Sequence, residues 1–373
     1  MFATVASDSE RLLFLLLTNN ADTSGCRRVR VPIFEFLQCS ISRCCLTAYP
    51  GTTFLLTTLI LIFMGLIKKP NELTVKTTLS ALIYGQPGMG KTTLALSAPN
   101  PVLFDYDGGI HRVNAAHRVP TVQITSWEET NEVLSSEEIK RFDTIVIDTA
   151  GKMLSFMDKY IMQTNPKMRK NDGTLSLQGY GVRKNMFINF VNQVSLMGKS
   201  VIFVAHEREE KNGEDKQIRP EIGGSSAGDL IKELDLVGYM EAIGKDRTIS
   251  FDPCEKFYGK NTCNLPSRIK IPVIIDASGV ITGGNNFMTG IIDTYKKYQT
   301  KQTELSSEYE LLLESIKDSI EQITDADSAN EIMSGILSMD HIFDSKLQAS
   351  QMLDKKCKAL GLKFDRNLKK YAA

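Results

Sequence analysis

Residues 79–93 read Leu79-Ser-Ala-Leu-Ile-Tyr84-Gly85-Gln86-Pro87-Gly88-Met89-Gly90-Lys91-Thr92-Thr93, and the fold follows from them. A β-prone run, Leu79 to Tyr84, ends in Gly85, and Gly90, Lys91 and Thr92 complete the spacing G-x-x-x-x-G-K-[ST]. Gly85, Gly88 and Gly90 permit backbone conformations closed to other residues, so successive N–H groups can turn inward around a phosphate. A helix predicted from Lys91 to about Leu96 adds its free N-terminal donors and the positive end of its dipole. The residues from Gly85 through Gln86, Pro87, Gly88, Met89, Gly90, Lys91 and Thr92 to Thr93 are therefore the expected nucleotide-binding loop. Lys91 reaches the β- and γ-phosphates and the Thr92 hydroxyl holds Mg²⁺, making ATP and Mg²⁺ the expected cofactors. The competing reading, a glycine-rich turn that matches by chance, is disfavoured by the strand before the motif and the helix after it.

The chain of 373 residues has room for one large α/β domain and an appendage. Lys and Arg total 44 and Asp and Glu total 44, a formal net charge of zero. Nucleic-acid binding driven by overall charge is thereby excluded, and any such contact must come from a local patch. The seven cysteines form no C-x-x-C pair and have no His partner at zinc spacing. Their odd number beside a phosphate loop suits reduced, inert thiols and a cytoplasmic location.

Residues 1–67 differ in composition from the remainder of the chain: every lysine lies at or after Lys68, while four of the seven cysteines precede position 46. Phe54 to Ile67 is uncharged and strongly apolar, with Lys68 and Lys69 directly after it. It is shorter than the roughly 20 residues of a membrane span, and it has no suitably placed small residues for signal cleavage. The favoured reading is translation from Met64, with a membrane anchor as the alternative.

Beyond Lys68 the pattern becomes orderly. Strands are predicted at Pro101–Phe104, Thr121–Ile124, Phe142–Asp148 and Val201–Ala205, with a helix from Trp127 to about Lys140 capped by Ser126 and Glu129. Strands alternating with helices imply a mainly parallel sheet with helices on its faces, and ligands bind at the carboxyl ends of its strands. Asp148 closes an apolar strand downstream of the phosphate loop, the usual place of the Mg²⁺ carboxylate. Asp105 and Asp107 end the neighbouring strand. Asp107 is the preferred group to orient the attacking water, against a plain turn role ahead of Gly108-Gly109. His206 ends the strand Val201–Ala205 and reads either as a γ-phosphate sensor or as a strand-end histidine bonded to backbone.

Two segments suit single-stranded nucleic acid: the basic loop Lys167–Gly173, and Gln178-Gly-Tyr180-Gly-Val-Arg183-Lys184, where cations flank an aromatic ring. A solvated loop with one packed tyrosine explains the second equally well. Glu209–Asp215 reads as a charged turn and Arg219–Gly228 as a second flexible loop. Leu236–Ile243 and Thr248–Phe251 read as an antiparallel pair. Lys245-Asp246-Arg247 at its tip is either solvated or a cationic finger for a neighbouring subunit's γ-phosphate. After a helix at Met288–Lys297, a linker at Lys296–Thr303 leads to a helical appendage. There Leu312, Ile316, Ile320 and Ile323 form one stripe, Ser328 and Glu331 a capping box, and Gly361 a helix stop.

Taken in order, Gly85–Thr93, Asp105-Tyr-Asp107-Gly-Gly, Phe142–Asp148, Ala205-His206-Glu207 and the Arg219–Gly228 loop resemble the RecA-like, AAA-type nucleotide-binding proteins of tailed phages and prophages. That group includes the Sak-type single-strand annealing ATPases. The resemblance covers roughly residues 74–295. It implies a RecA-like P-loop core with Lys91, Asp107, Asp148 and His206 as catalytic residues and Thr92 and Asp148 as Mg²⁺ ligands. Asp107 stands where such proteins often have the longer Glu. The expected organisation is an atypical extension over 1–67, a RecA-like ATPase domain over 68–298 and a helical region over 299–373. The expected function is Mg²⁺-dependent ATP hydrolysis by a homo-oligomer on single-stranded DNA during recombination or annealing. The alternative is a nucleotide-dependent switch or helicase loader with little DNA affinity of its own.

Overall fold

The computed structural model describes residues 68, 73, 75–212, 215–223, 227–244, 246–276 and 278–372. The readings placed on 1–67, on Gly224–Ser226 and on Lys245 lie outside the described residues. The elements are β1 (Ser80–Gly85), α1 (Lys91–Ala95), β2 (Pro101–Asp105), β3 (Thr121–Gln123), α2 (Trp127–Ser135), β4 (Thr144–Asp148), α3 (Ala150–Thr164) and α4 (Leu177–Leu196). They continue with β5 (Ser200–Asn212), β6 (Asp215–Pro220), α5 (Ala227–Lys232), β7 (Leu236–Ile243), β8 (Asp246–Ser250) and β9 (Arg268–Ile271). The C-terminal part holds α6 (Phe287–Glu321), α7 (Ala326–Ser338), α8 (Ser345–Ala359) and the hairpin β10 (Lys363–Asp365) with β11 (Lys370–Ala372).

Among the described residues one nine-stranded sheet runs β3-β2-β4-β5-β1-β7-β8-β9, with β6 paired to the far half of β5. From β3 to β7 all neighbours are parallel; β8, β9 and β6 join antiparallel. The expected α/β fold is present: a mainly parallel sheet flanked by helices, with the phosphate loop after β1 and the C-terminal helices α6–α8 after the sheet.

Both faces of the sheet are buried, as a parallel sheet requires. Alternation along β5 assigns them: Val201, Phe203 and Ala205 face α2, α3 and α4, whereas Ile202 and Val204 face α1 and the start of α6. A third apolar cluster, including Ile316, Ile320, Ile336, Leu353 and Cys357, joins the end of α6 to α7 and α8.

Four expectations are corrected. The linker at Lys296–Thr303 is the interior of α6, a single helix of 35 residues. The polar residues of that segment are Lys, Gln and Thr with no Gly or Pro, so nothing in it breaks a helix. The charged turn at Glu209–Asp215 is an arm in which Glu207–Asn212 of β5 pairs with β6, so Arg219 sits on a strand. Helix α2 stops at Ser135, before a 3₁₀ turn at Glu138–Arg141. The capping box of α7 is Asp325 with Ser328, not Ser328 with Glu331: Asp325 accepts from the Ser328 N–H at 2.8 Å.

Gly85 fixes the position of β7 against the phosphate loop. A Cβ there would lie 2.6 Å from the Met240 carbonyl oxygen, closer than side chains come to backbone. Gly85→Ala should therefore destabilise the chain by about 1–3 kcal/mol, read as a lower midpoint in chemical denaturation. An unchanged midpoint would mean that β1 and β7 separate easily.

Candidate functional site

The site is built at the carboxyl ends of β1, β2 and β4 and at the middle of β5, where His206 stands beside Gly85. β1 ends in Gly85 and the chain enters α1 through Gly88 and Gly90, both with positive φ (78° and 86°), which glycine adopts without steric cost. Lys91 is buried and folds back over the loop. Its Nζ donates to the Gly85 carbonyl at 2.9 Å and the Gln86 carbonyl at 2.6 Å. Burial lowers its pKa, while the nearby charges of Asp148 and Glu207 act the other way.

One residue further into α1, the Thr92 hydroxyl donates to Asp148 Oδ2 at 2.6 Å. Asp148 is buried at the end of β4, and desolvation is the main cause of its raised pKa. The Thr92 bond opposes that shift, Asp105 and Asp107 reinforce it, and His206 opposes it. A hydroxyl and a carboxylate side by side beside the phosphate loop are hard oxygen donors. They fit Mg²⁺, which takes one or two protein oxygens and completes its shell with phosphate and water.

The two aspartates of the neighbouring strand divide their work. Asp105 is buried and accepts from the N–H groups of Asp107, Gly109 and Ile110 at 2.9–3.2 Å, so it shapes the turn. Asp107 is partly exposed and meets Arg112 Nη1 at 3.6 Å. It follows Asp105, which pairs with Asp148 across β2 and β4, by two residues, at the rim of the same site. His206 stands opposite Gly85 in the β1–β5 register, and its Nδ1 is buried with no hydrogen-bond partner among the described residues. Lys91, Thr92, Asp148 and His206 are thus brought together, with Asp107 at the edge.

The residues around Tyr180 differ from the expected loop. Gln178–Lys184 forms the first two turns of α4, capped by Ser176. Gly179 is there because a Cβ would strike Leu175 at 2.6 Å, so this glycine signals close packing instead of a turn. Arg183 is buried, pairs with Asp158 at 3.0 Å, donates to the Gly223 carbonyl at 2.7 Å and lies over the Tyr180 ring. Arg183→Ala should cost about 1–3 kcal/mol of stability by leaving these acceptors unpaired, measured by denaturant unfolding. A neutral result would free Arg183 for a surface role. Lys167, Arg169 and Lys170 are on the loop before α4, where Lys167 and Lys170 are exposed.

Two residues at the site take places that the sequence reading did not give them. Glu207 comes directly after His206 on β5, so alternation turns it to the opposite face, beside Tyr239; one carboxylate oxygen is buried without a partner among the described residues. The period-two pattern from Val201 carried that information. Arg247 of β8 reaches the loop of its own chain: a Cβ on Gly90 would lie 3.5 Å from Arg247 Nη1. Nothing in the sequence distinguished this from a finger directed at a neighbour.

The AAA domain family matches residues 77–263, which span the loop, both candidate carboxylate strands and the β7–β8 pair. The chain belongs to the AAA domain family. No curated protein matches this AAA chain. Among solved structures it is similar to the flagellar accessory protein FlaH from Methanocaldococcus jannaschii, at 9% identity and a TM-score of 0.32, over 52% of this chain and 85% of that one. A likeness so distant carries no weight for function. The family and the site together make this AAA chain a P-loop NTPase in fold. Among the described residues no helix of the AAA chain is long and apolar enough to cross a membrane.

Proposed function

We propose that this chain is a Mg²⁺-dependent ATPase whose RecA-like core works as a homo-oligomer on single-stranded DNA, in recombination or annealing of the phage type. The observation that carries the ATPase reading is the 2.6 Å bond between Thr92 and Asp148, next to a lysine already folded into the phosphate loop. When bound, Mg²⁺ would offset charge on the phosphate oxygens between Thr92 and Asp148. Lys91 neutralises charge building on the transferred phosphoryl group, and the loop amides hold it in line for attack by water. Asp107 orients that water from the rim. His206, in the middle of β5 opposite Gly85, responds when the γ-phosphate leaves.

Support for DNA is the basic trio Lys167, Arg169 and Lys170 on the loop before α4. Replacing all three by alanine is expected to weaken single-stranded DNA binding at least about tenfold and to flatten its salt dependence. The second reading, a nucleotide-dependent switch or helicase loader with little DNA affinity, is favoured by the structural role of Arg183, which withdraws one expected DNA contact. ATPase assays with and without single-stranded DNA separate the two. Stimulation that fades as salt rises supports the DNA reading; turnover indifferent to DNA supports the loader.

A further inference from the structure

We infer that Arg247 binds the phosphates of the nucleotide held by its own chain, completing the site in cis; this rests on the ATPase reading above. Three observations converge on it. The first is position. Arg247 pairs with Ala242 of β7, two residues beyond Met240, which is itself aligned with Gly85 of the phosphate-loop strand. It shares a sheet face with Ile249, whose cluster includes Leu94 and Ala95 of α1. The guanidinium accordingly lies against Gly90, one residue before Lys91.

The second observation is rigidity. Gly85 and Met240 are in contact so close that no Cβ fits between them, and β7 and β8 pair from Tyr239 to the tip. The arginine is therefore carried by a frame locked to the phosphate loop, not by a free tip. The third is charge. The acids of β7 and β8 are engaged elsewhere: Asp246 with Lys270 at 2.9 Å and Glu241 with Arg268. Arg247 has no ion-pair partner among the described residues, yet it stands beside a loop that already holds the ammonium of Lys91. Two cations thus converge on one loop. A polyphosphate supplies the anion that both can share, and the planar guanidinium can grip two of its oxygens at once.

A trans finger would instead leave Arg247 pointing away from its own nucleotide. Full-length Arg247→Ala is expected to keep the wild-type melting temperature, since the residue is exposed, and to bind Mg-ATP about tenfold more weakly or turn it over about tenfold more slowly. The loss should grow with phosphate number, large for ATP and absent for adenosine, which a merely structural role would not produce. Arg247→Lys should recover part of it. Mixing Arg247→Ala with Lys91→Ala chains is expected to give no more activity than the two alone. Rescue in the mixture would overturn the inference by showing that Arg247 serves a neighbour. Unchanged Mg-ATP binding and turnover in Arg247→Ala, with an active wild type, would overturn it while leaving the ATPase reading intact. A wild type that neither binds nor hydrolyses Mg-ATP would remove both.

Discussion

Lys91→Ala is expected to slow ATP hydrolysis by about 10²–10³-fold, the loss seen when one preorganised charge-stabilising donor is removed. The reason is local. The Lys91 ammonium is already buried and held by the Gly85 and Gln86 carbonyls, so little reorganisation is needed to exchange them for phosphate oxygens. Alanine leaves the loop amides in place but removes the charge that reaches them from α1. Stability should not fall in parallel. Burial lowers the Lys91 pKa, so the charged form is disfavoured in the folded chain. That cost is present while the lysine is protonated in both states. It shrinks as pH rises from the folded pKa toward the unfolded one, because the folded chain sheds its proton first. Lys91→Met should consequently be no less stable than wild type at neutral pH, while being as inactive as alanine. Phosphate release and thermal melts on the same samples test both halves; normal turnover would remove Lys91 from the site.

Asp148→Asn is expected to act in opposite directions on activity and stability. Its raised pKa means that the folded chain holds the proton more tightly than the unfolded chain. The group therefore favours folding below the ordinary carboxylate range, and that benefit is lost as pH rises through the folded pKa. Wherever Asp148 is ionised, its carboxylate is a buried charge maintained at a cost. Asparagine removes the charge and keeps an oxygen for the Thr92 hydroxyl. The melting temperature of the nucleotide-free chain should hold or rise, by about 2–4 °C per kcal/mol relieved, while Mg²⁺-dependent turnover falls about 10²-fold. A variant that is both less stable and fully active would show that Asp148 is a packing residue. Stability given up at a binding site is the expected signature of function.

The phosphate loop and the buried strands were legible because each is a local pattern with a mechanical cause. Gly85–Thr93 specifies its own turn, and Ile145–Ile147 and Val201–Val204 are apolar on both faces, as suits an interior strand. Asp148 emerged from strand plus loop. The features hidden from sequence reading were set by distant partners. Whether Gln-Gly-Tyr-Gly forms a loop or a helix depends on Leu175 packing against Gly179, and the burial of Arg183 depends on Asp158 and Gly223. The Lys296–Thr303 segment is helical because α6 is anchored at both ends, by Met288 and Ile292 on the sheet and by Ile316 and Ile320 on α7 and α8. The side to which Arg247 turns is decided by the β7–β8 register, which no composition encodes.

Titration calorimetry of ATP into the full chain, with Mg²⁺ and then with excess EDTA, tests the central claim most directly. The loop, Lys91 and the Thr92–Asp148 pair should give saturable binding at about one site per chain, strongly weakened by EDTA and by Lys91→Ala. Absence of heat with Mg-ATP, or equal binding by wild type and Lys91→Ala, would contradict it.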